Sequence, residues 1–288
     1  MLSPLSANTA LKKFSLDCDY YLGYDNHIRL WLEAAKQRRV EEFHLSFGLD
    51  SIRVNANIFI SQTLVVLKLE KLRITSDTSC VHLPSLKTLH LKLVSFDNQN
   101  ECINFLSACP NLKDLHVEVS CTRHYGNYAL REWTIDYMFD VVKNVQFLSI
   151  ACNPGNQQCS FKNIPVFQNL IHIELWFRCC LCLYWDDVAE LLRYCPKLQI
   201  LLINKYKETN SSKEWKHPIS VFECVRSHLR SCTILNFNGS TNDLQFATYI
   251  LQNASHLQDM NIRGWTTFVS RLDNDSVWID GFNLILLY

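Results

Sequence analysis

Apolar residues recur along the chain in a six-residue motif, L-x-x-L-x-L, whose intervening positions are mostly polar. Leu86, Leu89 and Leu91 spell the motif without substitution, as do Leu64, Leu67 and Leu69. Altered versions begin at eight other residues: Leu11, Val40, Leu112, Val145, Leu170, Leu198, Cys232 and Leu257. Successive motifs start 22 to 34 residues apart, in or near the range of leucine-rich repeats, whose units combine a short strand with a return segment. The pattern predicts a repeat protein.

Each motif predicts a strand, because its apolar residues alternate with polar ones. Successive side chains of a strand point to opposite faces of the sheet. Leu89 and Leu91 are therefore predicted to point into the core, while Thr88, His90 and Lys92 point outward.

The segments between motifs have helical periodicity. One set of apolar residues follows the i, i+3, i+4, i+7 spacing of an amphipathic helix: Ile28, Trp31, Leu32 and Ala35. Two further helices are expected to end at Cys109-Pro110 and Cys195-Pro196, because proline disfavours helical geometry at the residue before it. Strand, turn and helix in repetition predict an α/β solenoid with a parallel sheet on its concave side.

Composition narrows the class of protein. The 288 residues are 48% hydrophobic and 12% aromatic, which supports a core and argues against disorder. The formal net charge is zero, so there is no electrostatic case for a nucleic-acid partner. Thirteen scattered cysteines without a secretion signal predict reduced thiols and a nuclear or cytoplasmic protein. No run approaches the roughly 18 apolar residues of a membrane helix, so no membrane partner is expected.

Some segments match more than the six-residue motif: Leu83–Leu91 and Phe105–Leu115, and Arg193–Leu198 repeats a Cys-Pro-x-Leu element. These segments resemble the plant F-box/leucine-rich-repeat family. From Trp215 to about Trp265 the chain is similar to the FBD domain that commonly closes these proteins. The matching residues include Trp215, Pro218, Glu223, Cys224, Ser227, His228, Leu229, Gly239, Leu244, Phe246, Ala247, Tyr249, Ile250, Leu251, Asn253, Ala254 and Leu257. The resemblance implies an RNI-like leucine-rich-repeat horseshoe with helical return segments.

The same resemblance suggests a division of the chain. We predict leucine-rich repeats over residues 1–210, an FBD domain over 211–265 and a divergent tail over 266–288. The first boundary follows a charged, turn-rich run from Lys207 to Glu214. In this family an F-box ahead of the repeats docks a Skp1-type adaptor. No residue here can be assigned to an F-box, so a Skp1-type partner is expected only if that segment is missing from this sequence.

The candidate site is the outward face of the predicted sheet, where a partner protein of unknown identity would bind. A rigid curved surface with polar and aromatic groups suits protein recognition, although an ordinary solvated face is an open alternative. The fifth position of each motif and its neighbours supply the candidate residues: His44, Lys68, Glu70, His90, Lys92, His116, Glu118, Glu174 and Trp176.

No catalytic, metal or cofactor site is predicted. His44, His90 and His116 share a column with Lys68, and no carboxylate is fixed beside them by spacing. Cys179-Cys180-Leu181-Cys182 lacks the second ligand pair of a structural zinc site. Asp186 and Asp187 fit a helix start better than an acid–base pair.

The functional prediction is a non-catalytic binding module. It is similar to the substrate-recognition part of a Skp1–cullin–F-box ubiquitin ligase receptor, which presents a target while its partners transfer ubiquitin. A free-standing scaffold or decoy, and a non-functional gene fragment, are the alternatives left open.

Overall fold

A computed structural model describes residues 11–18, 25–48, 52–120, 136–153, 164–177, 185–205, 215–264 and 283–287. The chain divides into two compact units, residues 1–145 and 146–288. The predicted boundaries near residues 210 and 265 fall on segments outside the described residues, as does most of the predicted tail.

Unit 1 alternates strands with short return segments. Its described strands are β1 (Lys13–Cys18), β2 (Glu42–Phe47), β3 (Arg53–Asn55), β4 (Val66–Glu70), β5 (Arg73–Thr75), β6 (Thr88–Lys92), β7 (Ser95–Phe96) and β8 (Asp114–Ser120). Its helices are α1 (Asp25–Gln37), α2 (Gln99–Ser107) and α3 (Asp136–Val142), with 3-10 turns at Ala56–Phe59 and Thr78–Cys80. Strands β1, β2, β4, β6 and β8 pair in parallel in that order.

The parallel register stacks the apolar motif residues into continuous buried rows. One row aligns Phe43, Leu67, Leu89 and Leu115, and the next aligns Leu45, Leu69, Leu91 and Val117. All eight side chains are buried. The predicted leucine-rich-repeat fold with its parallel sheet is confirmed.

The return segments differ in part from the prediction of helices. After β2, β4 and β6 the chain forms the short strands β3, β5 and β7, which pair in parallel as a second sheet. The repeats that start at Val40 and Leu64 are only 24 and 22 residues long. A turn, a short strand and a 3-10 turn fit this length, whereas a full helix with its connections does not. In the predicted helix α1, Ile28, Leu32 and Ala35 are buried, but Trp31 lies at the border of the stripe and is 48% exposed.

Unit 2 has the same architecture of parallel strands and return segments. Its described elements are β9 (Phe147–Asn153), β10 (His172–Phe177), α4 (Trp185–Arg193), β11 (Ile200–Asn204), α5 (Glu223–Ser227), β12 (Ser231–Phe237), α6 (Thr241–Asn253), β13 (Asp259–Gly264) and β14 (Asn283–Leu287). Strands β9 to β13 pair in parallel in chain order. The last strand, β14, pairs with β13 in the antiparallel sense, which no repeat strand does in the described part of the chain.

The strand register that the sequence predicts for the ninth motif is wrong. The sequence suggested Cys232, Leu235 and Phe237 as its apolar positions. In the structure Leu201 aligns with Cys232 and Ile203 aligns with Ile234, so the motif begins at Leu229. Leu229, Cys232 and Ile234 are fully buried, whereas Leu235 is half-buried on the outward face. Complete burial of this alternative set decides the register.

The two Cys-Pro elements end helices as predicted. Helix α2 ends at Ser107 and α4 at Arg193, two residues before Cys109 and Cys195. Both cysteines are buried, and burial raises the pKa of the Cys109 thiol to about 12 and that of Cys195 well above its ordinary value. These thiols behave as small apolar core groups.

A buried ion pair joins the end of β11 to the start of α6. The Lys205 ammonium donates a hydrogen bond to the Asp243 carboxylate, and neither side chain is more than 4% exposed. The Trp185 indole N–H donates to the same carboxylate oxygen at 3.1 Å, and the Asn238 backbone N–H donates to the other at 3.2 Å. The Trp185 ring stacks on Phe246 at 4.1 Å. The buried ammonium and carboxylate therefore neutralise each other, and the carboxylate accepts two further hydrogen bonds.

Replacement of Asp243 by asparagine should destabilise unit 2 by about 3–5 kcal/mol, because it leaves a buried ammonium uncompensated. The midpoint of urea unfolding, followed by tryptophan fluorescence, measures the loss. The same change at the exposed Asp259 is the control and should cost less than about 0.5 kcal/mol. The double variant Lys205→Met/Asp243→Asn should recover part of the stability. A loss at Asp243 no larger than at Asp259 would contradict the assignment.

Leu89→Ala should destabilise unit 1 by about 2–5 kcal/mol, because a fully buried leucine leaves both lost apolar contact and a cavity. Leu30→Ala is the same chemical change at a side chain that is 61% exposed, and it should cost under about 1 kcal/mol. Urea unfolding of both variants tests the difference; equal losses would show that the buried rows do not hold the sheet together.

Candidate partner-binding face

The outward side chains of unit 1 form straight rows across the sheet. The central row aligns Ser15, His44, Lys68, His90 and His116, one from each strand. This is the column expected from the motif. The row is solvent-accessible, with Lys68 exposed and the three histidines half-buried.

Histidine rings dominate this central row. The imidazoles of His90 and His116 stack with centroids 3.9 Å apart and planes 8° apart. Burial lowers the pKa of His90 to about 4, and the nearby His116, Lys68 and His44 add to the effect because each disfavours a further positive charge. At the end of the row, the hydroxyl of Ser15 lies 3.3 Å from Nδ1 of His44. Burial, reinforced by these basic neighbours, therefore keeps His90 neutral near pH 7.

The flanking rows pair most of their charges internally. Lys92 and Glu70 form an ion pair of 2.7 Å, and they align with the candidate Glu118 on β8. On the other side, Thr88 donates a hydrogen bond of 3.1 Å to the Asp114 carboxylate. The carboxylates beside the histidine row are held by partners of their own.

The outward face of unit 2 is organised around Glu174. Its carboxylate accepts hydrogen bonds from the Trp176 indole N–H at 3.2 Å and from the Ser149 hydroxyl at 3.4 Å. The His172 Nε2 lies 3.4 Å from the other carboxylate oxygen. Burial lowers the pKa of His172, and Glu174 opposes that shift. The carboxylate fixes the orientation of Trp176, which is half-buried.

Unit 2 also presents outward apolar side chains that were not among the candidates. Phe147, His172 and Ile200 align across β9, β10 and β11. Phe147 packs edge-on against His172 at 4.6 Å, and Ile200 is 39% exposed. Phe147 and Ile200 are each the first residue of their strand, directly before the second apolar position of the motif. The same alternation would have identified them if apolar residues had been admitted to the outward columns.

The cysteine cluster and the aspartate pair considered in the sequence lie away from the outward rows described above or outside the described residues. Cys179, Cys180 and Cys182 lie outside the described residues. Asp186 and Asp187 occupy the first turn of α4, as expected for a helix start. Within the part of the chain that the structure describes, no group of three or more histidine, cysteine or acidic side chains could hold a metal. Among the described helices, none has the length and apolar character needed to cross a membrane.

Comparisons with known proteins agree with this fold. A leucine-rich-repeat family model matches residues 85–110, which cover β6, β7 and α2, and the FBD family model matches residues 217–262. An FBD-associated F-box protein of Arabidopsis thaliana is 27% identical over 300 residues, covering 82% of this chain and 71% of the relative. An F-box/FBD/LRR-repeat protein of the same plant is 26% identical over 298 residues, covering 80% and 70%. No solved structure matches. The predicted resemblance to the F-box/leucine-rich-repeat proteins with an FBD domain is confirmed.

The FBD-matching segment contributes several of its matching residues to the core. It spans α5, β12, α6 and most of β13. Many of its signature residues are buried: Cys224, Leu229, Phe246, Ala247, Tyr249 and Ile250. Gly239 has a φ of +72°, a left-handed conformation that favours glycine, just before α6. These residues position the helix.

Acidification should destabilise unit 1 through His90. Because its folded-state pKa is about 4 against an ordinary 6.5, the unfolded chain binds more protons between these values, and stability falls as the pH falls through this window. After discounting for partial exposure, the contribution is about 1–2 kcal/mol.

The measurement is the free energy of unfolding at pH 7.5, 5.5 and 4.5. His90→Gln should lose less stability on acidification than the natural chain. The exposed His82 provides the matched variant, His82→Gln, which should keep the natural profile. Parallel profiles for the natural chain and His90→Gln would refute the predicted pH dependence.

Proposed function

We propose that this chain is a non-catalytic protein-binding module that recognises a target protein through the outward face of its sheet. The observation that supports this proposal is the parallel strand register, which aligns the outward side chains of neighbouring strands in rows. On β2, β4, β6 and β8 the inward rows are apolar and buried, whereas the outward rows hold imidazole, ammonium and carboxylate groups. On β10 the outward residues are His172, Glu174 and Trp176. A rigid surface with fixed spacing and varied chemistry suits recognition of a protein.

The relatives' names extend the proposal toward ubiquitin ligation. The curated relatives are named F-box proteins, and in this family the F-box joins the repeats to a Skp1-type adaptor. We infer that this chain supplies target recognition in an assembly of that class. Target binding and adaptor binding are separate properties, because the candidate target surface lies on the repeats.

Trp176 offers the sharpest test of target recognition. Tryptophan is enriched among interface residues that dominate binding energy, and Glu174 holds this indole in place at 3.2 Å. Partners are captured by proximity labelling in plant cells with the whole chain, and the strongest candidate is then purified. Its Kd for the natural chain and for Trp176→Ala is measured by calorimetry, with an expected weakening of at least about tenfold.

The matched control is Trp31→Ala on α1, where the indole is 48% exposed but belongs to a return segment. It should leave the Kd unchanged within about twofold. Equal effects of the two substitutions would reject the outward face as the binding surface. Co-precipitation with a Skp1-type adaptor tests the ligase role separately, and failure there would leave target binding standing.

A further inference from the structure

The central row of unit 1 has an unusual charge arrangement. In the neighbouring rows Lys13 lies 3.9 Å from the Glu42 carboxylate and Lys92 lies 2.7 Å from that of Glu70. Among the described residues, Lys68 has no carboxylate within 4 Å of its ammonium, and its side chain is exposed. The row therefore contains an uncompensated cation between two histidines, His44 and His90.

The length of the row matches a short extended segment. Adjacent strands lie about 4.8 Å apart, so the three steps from His44 to His116 span about 14 Å. An extended chain advances about 3.3 Å per residue, so four or five residues cross the row. Two or three of their side chains would face the sheet, because alternate residues point to opposite sides.

We propose that the row formed by His44, Lys68, His90 and His116 binds a carboxylate-rich extended segment of a partner protein that lies across the strands. This inference rests on the proposed function and specifies the chemistry of the partner. An anionic side chain placed over Lys68 gains a charge-assisted contact. It also offsets the mutual repulsion that the cations of this row would otherwise have when the histidines protonate.

Binding is therefore coupled to protons. The charged and titratable groups that face His90 are His44 of β2, Lys68 and Glu70 of β4, Lys92 of its own strand, and His116, Asp114 and Glu118 of β8. A bound carboxylate favours the protonated form of His90, whose pKa is about 4 in the unbound chain. Affinity should therefore rise as the pH falls from 7.5 to 5, where the carboxylates of the partner are still mostly ionised.

The experiment uses the whole chain and a fluorescein-labelled peptide with about five consecutive glutamates, monitored by fluorescence anisotropy. The glutamate peptide should bind more tightly than its glutamine counterpart, and added salt should weaken it. Lys68→Gln should weaken binding about tenfold, since one charge-assisted contact is lost. Lys197→Gln removes an equally exposed lysine on the turn before β11, and it should leave the affinity unchanged. His90→Gln should reduce the gain in affinity on acidification.

Four outcomes would overturn the inference. The glutamine peptide could bind as well as the glutamate peptide, or Lys68→Gln could have no larger effect than Lys197→Gln. A single-stranded oligonucleotide of equal charge could bind more tightly through Lys68, which would make the row a nucleic-acid surface. A captured target that needs Trp176 but not Lys68 would reject the acidic-segment inference while leaving the proposed function intact. Circular dichroism of each variant confirms that the fold is retained.

Discussion

The in-register parallel pairing of the repeat strands is the constraint on which the other features of each unit depend. Side chains alternate between the two faces with a period of two, so a shift of one residue would exchange the buried row for the outward one. The rows that contain Leu89 and Leu91 are buried on every neighbouring strand except the half-buried edge strand β1. This burial fixes the register of the strands. The same register aligns the outward rows, which therefore need no stabilising contacts of their own.

An aligned outward row places like residues side by side whether or not they attract. His90 and His116 stack at 3.9 Å because adjacent strands place them there. Burial and, after it, the basic neighbours His116, Lys68 and His44 lower the pKa of His90 and suppress its positive charge. Core packing does not require this arrangement, since the side chains point away from the core. The clustering of basic side chains around His90 is therefore unfavourable and is not required by packing, which supports a binding role for this row.

The sequence predicts those features of the fold and of the candidate site that depend on residues close together in the chain. Alternation within six residues identified the inward and outward positions of β2, β4, β6 and β8. It failed at the ninth motif, where Cys232 fitted either register and only the burial of Leu229 and Ile234 distinguished them. The return strands β3, β5 and β7 are stabilised by pairing with one another, so no local pattern indicates them. The Lys205–Asp243 pair joins residues 38 positions apart, and neither residue has a sequence signal for burial.

That ion pair also bears on what the FBD-matching segment does physically. Strand β12 pairs in parallel with β11, and Asp243 of α6 compensates a lysine at the end of β11. Removal of the segment would expose the backbone edge of β11 and leave a buried ammonium without its carboxylate. Trp185 would in addition lose its stack with Phe246. The segment therefore completes the core of the repeat before it, with buried residues such as Cys224, Phe246 and Ile250. Its effect on target recognition would then be indirect, through the rigidity of the strands that present Glu174 and Trp176.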